Sequence, residues 1–158
     1  MLIQTNLFYV NGQKESETVF FNGERHGLQR EWHPNGQLYI ERHYQVGLLH
    51  GEYKIWHKNG QLRYLSKFVE GNEEGLATGW HDNGKLKSLT FYENGNPHGL
   101  SVDLNSDGKP ENYQCFWNGK RKRIPGHRLD LMLEFLRSKG QIAPTKLDGF
   151  KHFTTLEL

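Results

Sequence analysis

Nine histidines are the first residues in this sequence whose type and spacing could do chemistry. His33, His57 and His81 recur at one fixed interval, and His26, His50 and His98 form a second series. A regular histidine series invites a zinc site, but geometry opposes it. Equivalent residues in successive units lie two strands apart, about 9–10 Å, whereas each ligand must come within about 2.1 Å of one ion. The histidines therefore read as polar ladder and turn positions. Cys115 stands alone, which excludes an internal disulfide and a multi-cysteine zinc site. Phe91, Lys67 and His43 occupy the positions equivalent to it, so nothing marks it as a nucleophile. Glu31, Glu41 and Asp103 are scattered without an acid–base pair. Nucleophile-elbow, phosphate-loop and dinucleotide motifs do not occur. No catalytic residue, metal or cofactor is expected, and the chain reads as non-enzymatic.

What positions these residues is a repeat of 24 residues. Asn-Gly falls at Asn11-Gly12, Asn35-Gly36, Asn59-Gly60 and Asn83-Gly84, with Asp-Gly at Asp107-Gly108. Further glycine series run Gly23, Gly47, Gly71, Gly95, Gly119 and Gly27, Gly51, Gly75, Gly99. A fixed interval sustained over the chain is the signature of stacked structural units. Each unit holds two runs of apolar and polar alternation separated by glycine turns, the pattern of strands in hairpins. In the second unit, Leu28 to His33 is one strand, Pro34-Asn35-Gly36 the turn and Leu38 to Tyr44 the return.

The turn chemistry follows from the apolar pattern. A two-residue turn at Asn-Gly would set Trp32 opposite Tyr39; a three-residue loop ending in a left-handed glycine sets it opposite Leu38. Pro34 suits the first central position of a type I turn, which favours the longer, bulged loop. An even interval keeps each side chain on its face from unit to unit. Trp32, Trp56, Trp80 and Leu104 (with Phe8) form one column; Leu38, Leu62 and Leu86 a second; and Phe20, Tyr44, Phe68, Tyr92 and Phe116 a third. We assign all three to one core face of an antiparallel sheet of about ten strands. The opposite face carries Tyr39, Tyr53, Ile55, Leu65, Leu89, Phe91, Tyr113 and Trp117 among charges, and is the expected partner-binding surface.

With 158 residues the chain has one domain's worth of length, and 35% hydrophobic content suits a thin structure with much surface. A net charge of +2 with both signs mixed argues against nucleic acid as the main partner. The first residues lack a basic leader and a long apolar stretch, and no window approaches the ~18 apolar residues of a membrane span. A soluble, intracellular and cytoplasmic protein is expected.

The repeat gives way after Gly119. Lys120, Arg121, Lys122 and Arg123 form a basic run within a linker over 120–126, able to meet an anionic membrane surface. From His127 to about Lys139 the spacing turns helical, with Leu129, Met132, Leu133 and Leu136 on one stripe and Gly140 as a stop. The organisation expected is a β-repeat domain over 1–119, the basic linker, then a C-terminal helix and docking tail over 127–158. That helix would cap its own sheet or engage a partner.

The unit Gly51-Glu52-Tyr53-Lys54-Ile55-Trp56-His57-Lys58-Asn59-Gly60-Gln61-Leu62, followed by Phe68 and a further glycine turn, resembles the MORN-repeat variant. It is similar to bacterial chains of the YwqK type, which carry an antitoxin label. The resemblance covers residues 8 to 119; Leu104 and Asp107-Gly108 depart from it as a terminal repeat would. It implies a mostly β, elongated, single-layer β-meander without catalysis, acting as a scaffold or antitoxin-like binder of another protein or as a component of a larger assembly. Association with membranes is a second implication, and edge-to-edge self-association is open to such a sheet.

Overall fold

The computed structural model describes residues 1–122. Thirteen strands fill them: β1 (Leu2–Phe8), β2 (Lys14–Phe21), β3 (Glu24–Arg25), β4 (Gly27–Trp32), β5 (Leu38–Gln45), β6 (Leu48–Trp56), β7 (Leu62–Val69), β8 (Asn72–Glu73), β9 (Gly75–Trp80), β10 (Leu86–Glu93), β11 (Asn96–Leu104), β12 (Pro110–Trp117) and β13 (Lys120–Lys122). They pair antiparallel in chain order within one sheet, β3 branching from β2 and β8 from β7. Eleven strands on the continuous path, at about 4.8 Å each, make the sheet roughly 48 Å wide.

The expected meander is present, and two parts of the expected fold class are corrected. The sheet has thirteen strands, because single residues, His26 and Glu74, separate the short β3 and β8 from β4 and β9. Their N–H groups bond back to Val19 and Lys67, so the ladder bends there without opening. In β6 and β11 the chain crosses the same place as one strand. The described residues also contain no helix; the helix and tail expected over 127–158 lie outside them. For residues 1–122 the fold is strands and turns alone. Lys120–Lys122 continue the sheet as β13, inside the stretch expected as a linker.

Two turn types alternate. At the Asn-Gly sites the loop has three residues: Gly36 donates to the His33 carbonyl at 2.8 Å, and His33 to that of Gln37 at 2.8 Å. Gly36 takes φ of 83°, and Trp32 stands opposite Leu38, as the bulged turn requires. At the other glycine series the turn has two residues, both at positive φ: Asn22 and Gly23 at 51° and 87°, Val46 and Gly47 at 49° and 76°. These are type I′ turns, which Asn-Gly favours. Val46 is the anomaly, a β-branched side chain in a left-handed backbone that stays 63% exposed.

The bulge beside each three-residue loop changes the face assignment. Trp32 opposes Leu38 but Glu31 opposes Ile40, so Tyr39 is an extra residue. Arg63, Lys87, Glu111 and Glu15 are extra at the equivalent places. One inserted residue inverts every side chain after it. Trp32, Trp56, Trp80 and Leu104, with Leu38, Leu62 and Leu86 opposite the first three, therefore lie on one face. Tyr44, Phe68, Tyr92 and Phe116 lie on the other, opposite Gly27, Gly51, Gly75 and Gly99. The three columns assigned to one core face are thus split between two, here called the tryptophan face and the tyrosine face.

Successive units are joined laterally by side chains at the turns. Nε2 of His33, His57 and His81 lies 3.3, 3.0 and 2.8 Å from the carbonyl oxygens of Trp56, Trp80 and Leu104. The hydroxyl of Tyr9, at the equivalent place in the first unit, donates to the Trp32 carbonyl at 2.7 Å. Each turn asparagine works in two directions. Asn59 Oδ1 accepts from the Gln61 N–H at 3.0 Å, closing its own turn, while Nδ2 donates to the Asp82 carbonyl of the next at 2.7 Å. Asn11, Asn35 and Asn83 repeat the outward bond.

Two stability outcomes follow. Asn59→Ala removes both bonds and lowers stability by about 1–2 kcal/mol, seen as a lower urea midpoint; an unchanged midpoint would show the ladder to be idle. Val46→Asn relieves the left-handed valine and raises stability by about 1 kcal/mol, whereas a lowered midpoint would mean that no strain resides there.

Candidate protein-binding face

Pairing across the sheet aligns residues into rows, and the rows change character along the molecule. On the tryptophan face one row runs Glu17, Arg30, Glu41, Lys54 and then Leu65, Thr78, Leu89, Val102, Tyr113. Its first half alternates in charge, with Arg30 Nε 2.9 Å from Glu41 Oε2. Opposite charges directly across strands stabilise modestly and suit a wet surface. The second half is mostly apolar, and with its neighbours on the face it forms a closed region: Leu89 and Val102 are 0% exposed, Cys115 1%, Leu100 3% and Trp80 5%.

The tyrosine face has the reverse order. Over β5–β7 it is aromatic and aliphatic, with Ile40, Ile55 and Tyr64 in one row and Arg42, Tyr53 and Ser66 in the next. The Tyr53 ring centroid lies 5.6 Å from Phe68 and 6.4 Å from Tyr64, the latter edge-on. Arg25 and Arg42 stand 5.5 and 5.9 Å from the Tyr44 ring and help to bury it, and Arg42 is ion-paired with Glu31. Beyond β7 these two rows become small and polar: Ala77, Gly79, Ser88, Thr90 and Ser101, the last two hydroxyls 2.7 Å apart. A Cβ on Gly79 would meet Ser88 Oγ at 2.4 Å, so that part packs tightly against itself.

The expected partner set is consequently divided. Tyr53 and Ile55 fall on the tyrosine face and join Tyr64, Phe68 and Tyr44. Leu65, Leu89, Phe91, Tyr113 and Trp117 fall on the tryptophan face. There Leu89 has no surface left for a partner, and Trp117 stacks on His98 at 4.6 Å. Tyr39 is the bulge residue and packs against His33 at 4.5 Å. Alternation alone puts Tyr44 and Phe68 in a core column and Tyr64 in none; the register after each bulge is the signal that finds them. Tyr53, Ile55, Tyr64 and Phe68 are all half-buried and keep exposed surface. They are the open aromatic cluster of the sheet.

Of the basic run, Lys120, Arg121 and Lys122 are exposed on β13, and Arg123 lies outside the described residues. Among the described residues, no three His, Cys, Asp or Glu side chains are grouped to hold a metal ion.

The phenols of the cluster are held neutral. Burial pushes the Tyr64 hydroxyl well above the ordinary tyrosine range, and donation to the Glu73 carboxylate at 2.5 Å raises it further. Burial also raises Tyr53, against the lowering pull of Arg42, and raises Tyr92. A tyrosine with a raised folded pKa contributes stability that is full below its unfolded pKa of about 10 and is lost as pH climbs above it. Stability should therefore fall between about pH 9 and pH 11, and Tyr64→Phe should flatten that fall in urea titrations. An equal slope in the variant would show that Tyr64 is not the group responsible.

A family model described as MORN repeat variant matches residues 25–45, 49–70 and 73–94. A comparison with curated proteins finds no significant match. The matched segments take in the hairpins β4–β5, β6–β7 and β9–β10, so the match and the sheet divide the chain at the same turns. MORN repeats are generally modules that bind proteins or membranes. Residues 25–94 thus hold three consecutive units, built on one hairpin plan, that are repeats of the MORN variant.

Proposed function

We propose that the chain is a non-enzymatic protein-binding module whose contact surface is the tyrosine face over β5–β7. One observation carries this reading. Tyr53, Tyr64, Phe68 and Ile55 sit together, partly exposed, in the middle of the sheet, while the apolar region of the other face over β9–β12 is closed. Aromatic side chains held on a rigid sheet supply large contact area at small entropic cost, and such residues carry most of the energy of an interface. Arg42 with Glu31 and Tyr64 with Glu73 border the cluster with polar groups already paired. A hydrophobic centre with a polar rim is the ordinary anatomy of a protein contact. The partner is another protein with an apolar patch of similar size, in a binary complex or as part of a larger assembly.

A second reading rests on β13, whose Lys120, Arg121 and Lys122 are all exposed at one end of the sheet. Three adjacent cations suit an anionic membrane surface, each contributing about 1 kcal/mol near the bilayer.

Affinity purification of the native chain beside Tyr53→Ala/Phe68→Ala separates the two. The double variant should fold yet lose a stoichiometric protein partner by about thirtyfold, since two anchors are removed; Lys58→Ala, on an exposed turn, should retain it. Equal recovery by the double variant would contradict the tyrosine-face reading. Salt-sensitive cosedimentation with anionic vesicles, abolished by Lys120→Ala/Lys122→Ala, would transfer the function to β13.

A further inference from the structure

We propose that the chain forms a closed homodimer by pairing β1 antiparallel with β1 of a second copy, about a two-fold axis at Thr5. This inference is independent of the partner on the tyrosine face. All seven residues of β1 are exposed, including Leu2 at 64%, Leu7 at 60% and Phe8 at 60%. The outer edge of β1 pairs with no described strand. Natural sheet edges are normally blunted by charge, proline or a bulge. Leu2–Phe8 carries neither charge nor proline, and the bulge beside it lies on β2, at Glu15.

The backbone is set for pairing. The Met1 carbonyl accepts from Asn22, and Tyr9 donates to the Gln13 carbonyl. Odd-numbered residues thus face β2, and alternation turns the N–H and C=O groups of Leu2, Gln4, Asn6 and Phe8 outward. The side chains are self-complementary about Thr5. In the sequence Leu-Ile-Gln-Thr-Asn-Leu-Phe, antiparallel pairing sets Leu2 opposite Phe8, Ile3 opposite Leu7 and Gln4 opposite Asn6 of the second copy. Every apolar residue meets an apolar one. A shift by two residues would oppose apolar with polar, so the palindrome selects one register.

The other end of the sheet favours this choice. Among the described residues the last strand is β13, with Lys120, Arg121 and Lys122, and self-pairing there would set cations against cations. Pairing β1 with β13 of another copy would propagate without closing. Pairing of β1 with itself is isologous and ends at two.

The test is the mass of the full chain by sedimentation equilibrium at micromolar concentrations. Twice the 18.5 kDa chain mass is expected. Thr5 pairs with itself across the axis, so Thr5→Lys and Thr5→Glu should each weaken the dimer about tenfold or more through like-charge contact. An equimolar mixture of the two should dimerise again. Asn6→Pro deletes an outward N–H while sparing the bonds to β2, and should give a monomer with an unchanged melting curve. A monomeric wild type, an open-ended assembly, or a dimer indifferent to these substitutions would overturn the proposal.

Discussion

The structure depends on one device, the three-residue loop that ends in a left-handed glycine and carries an asparagine before it. The glycine lets the chain reverse in three residues with Trp32 opposite Leu38, and the bulge at Tyr39 just beyond fixes which residues oppose one another. The asparagine then locks its own turn with Oδ1 and the next turn with Nδ2. Strand pairing alone would leave a sheet free to slip by two residues. A side-chain bond to a carbonyl at the equivalent turn of the next unit, repeated from Asn11 to Asn83, holds the stagger constant. Asn105, at the place of the ladder histidines, closes its own turn by accepting from Asp107 and Lys109.

From constant stagger comes the division of labour between faces. With columns fixed, a sequence can vary each one along the molecule without disturbing the fold. The row from Glu17 to Tyr113 passes from paired charges to apolar side chains, and the tyrosine face passes from aromatic to small and polar. In these central rows each face is apolar where the other is polar. A single layer can thus hold a closed apolar region over β9–β12 and still present an open aromatic cluster over β5–β7. The cost of presenting that cluster is lowered by neighbours already on the sheet, such as the arginines that flank Tyr44.

Much of this was legible in the residues. The interval gave the meander, Pro34 and the pairing of Trp32 with Leu38 gave the turn, and the distance argument turned the histidines from metal ligands into a ladder. What escaped was parity. Strict alternation from Leu38 to Tyr44 puts both on one face, and only the unpaired Tyr39 separates them. A bulge residue has no type of its own: the equivalent positions hold Glu15, Tyr39, Arg63, Lys87 and Glu111, so nothing in composition betrays it. The same slip moved Leu65 and Leu89 to the tryptophan face and hid the link between Tyr53 and Phe68. Breaks at single residues, as at His26 and Glu74, depend on backbone direction, which strand propensity does not encode.

The central claim is that tryptophan and tyrosine columns lie on opposite faces. Nuclear Overhauser contacts between aromatic rings test it most directly. Contacts are expected from Tyr53 to both Phe68 and Tyr64, and none from Trp56 to Phe68. A strong Trp56–Phe68 contact would return both columns to one face and contradict the bulged register on which the binding surface rests.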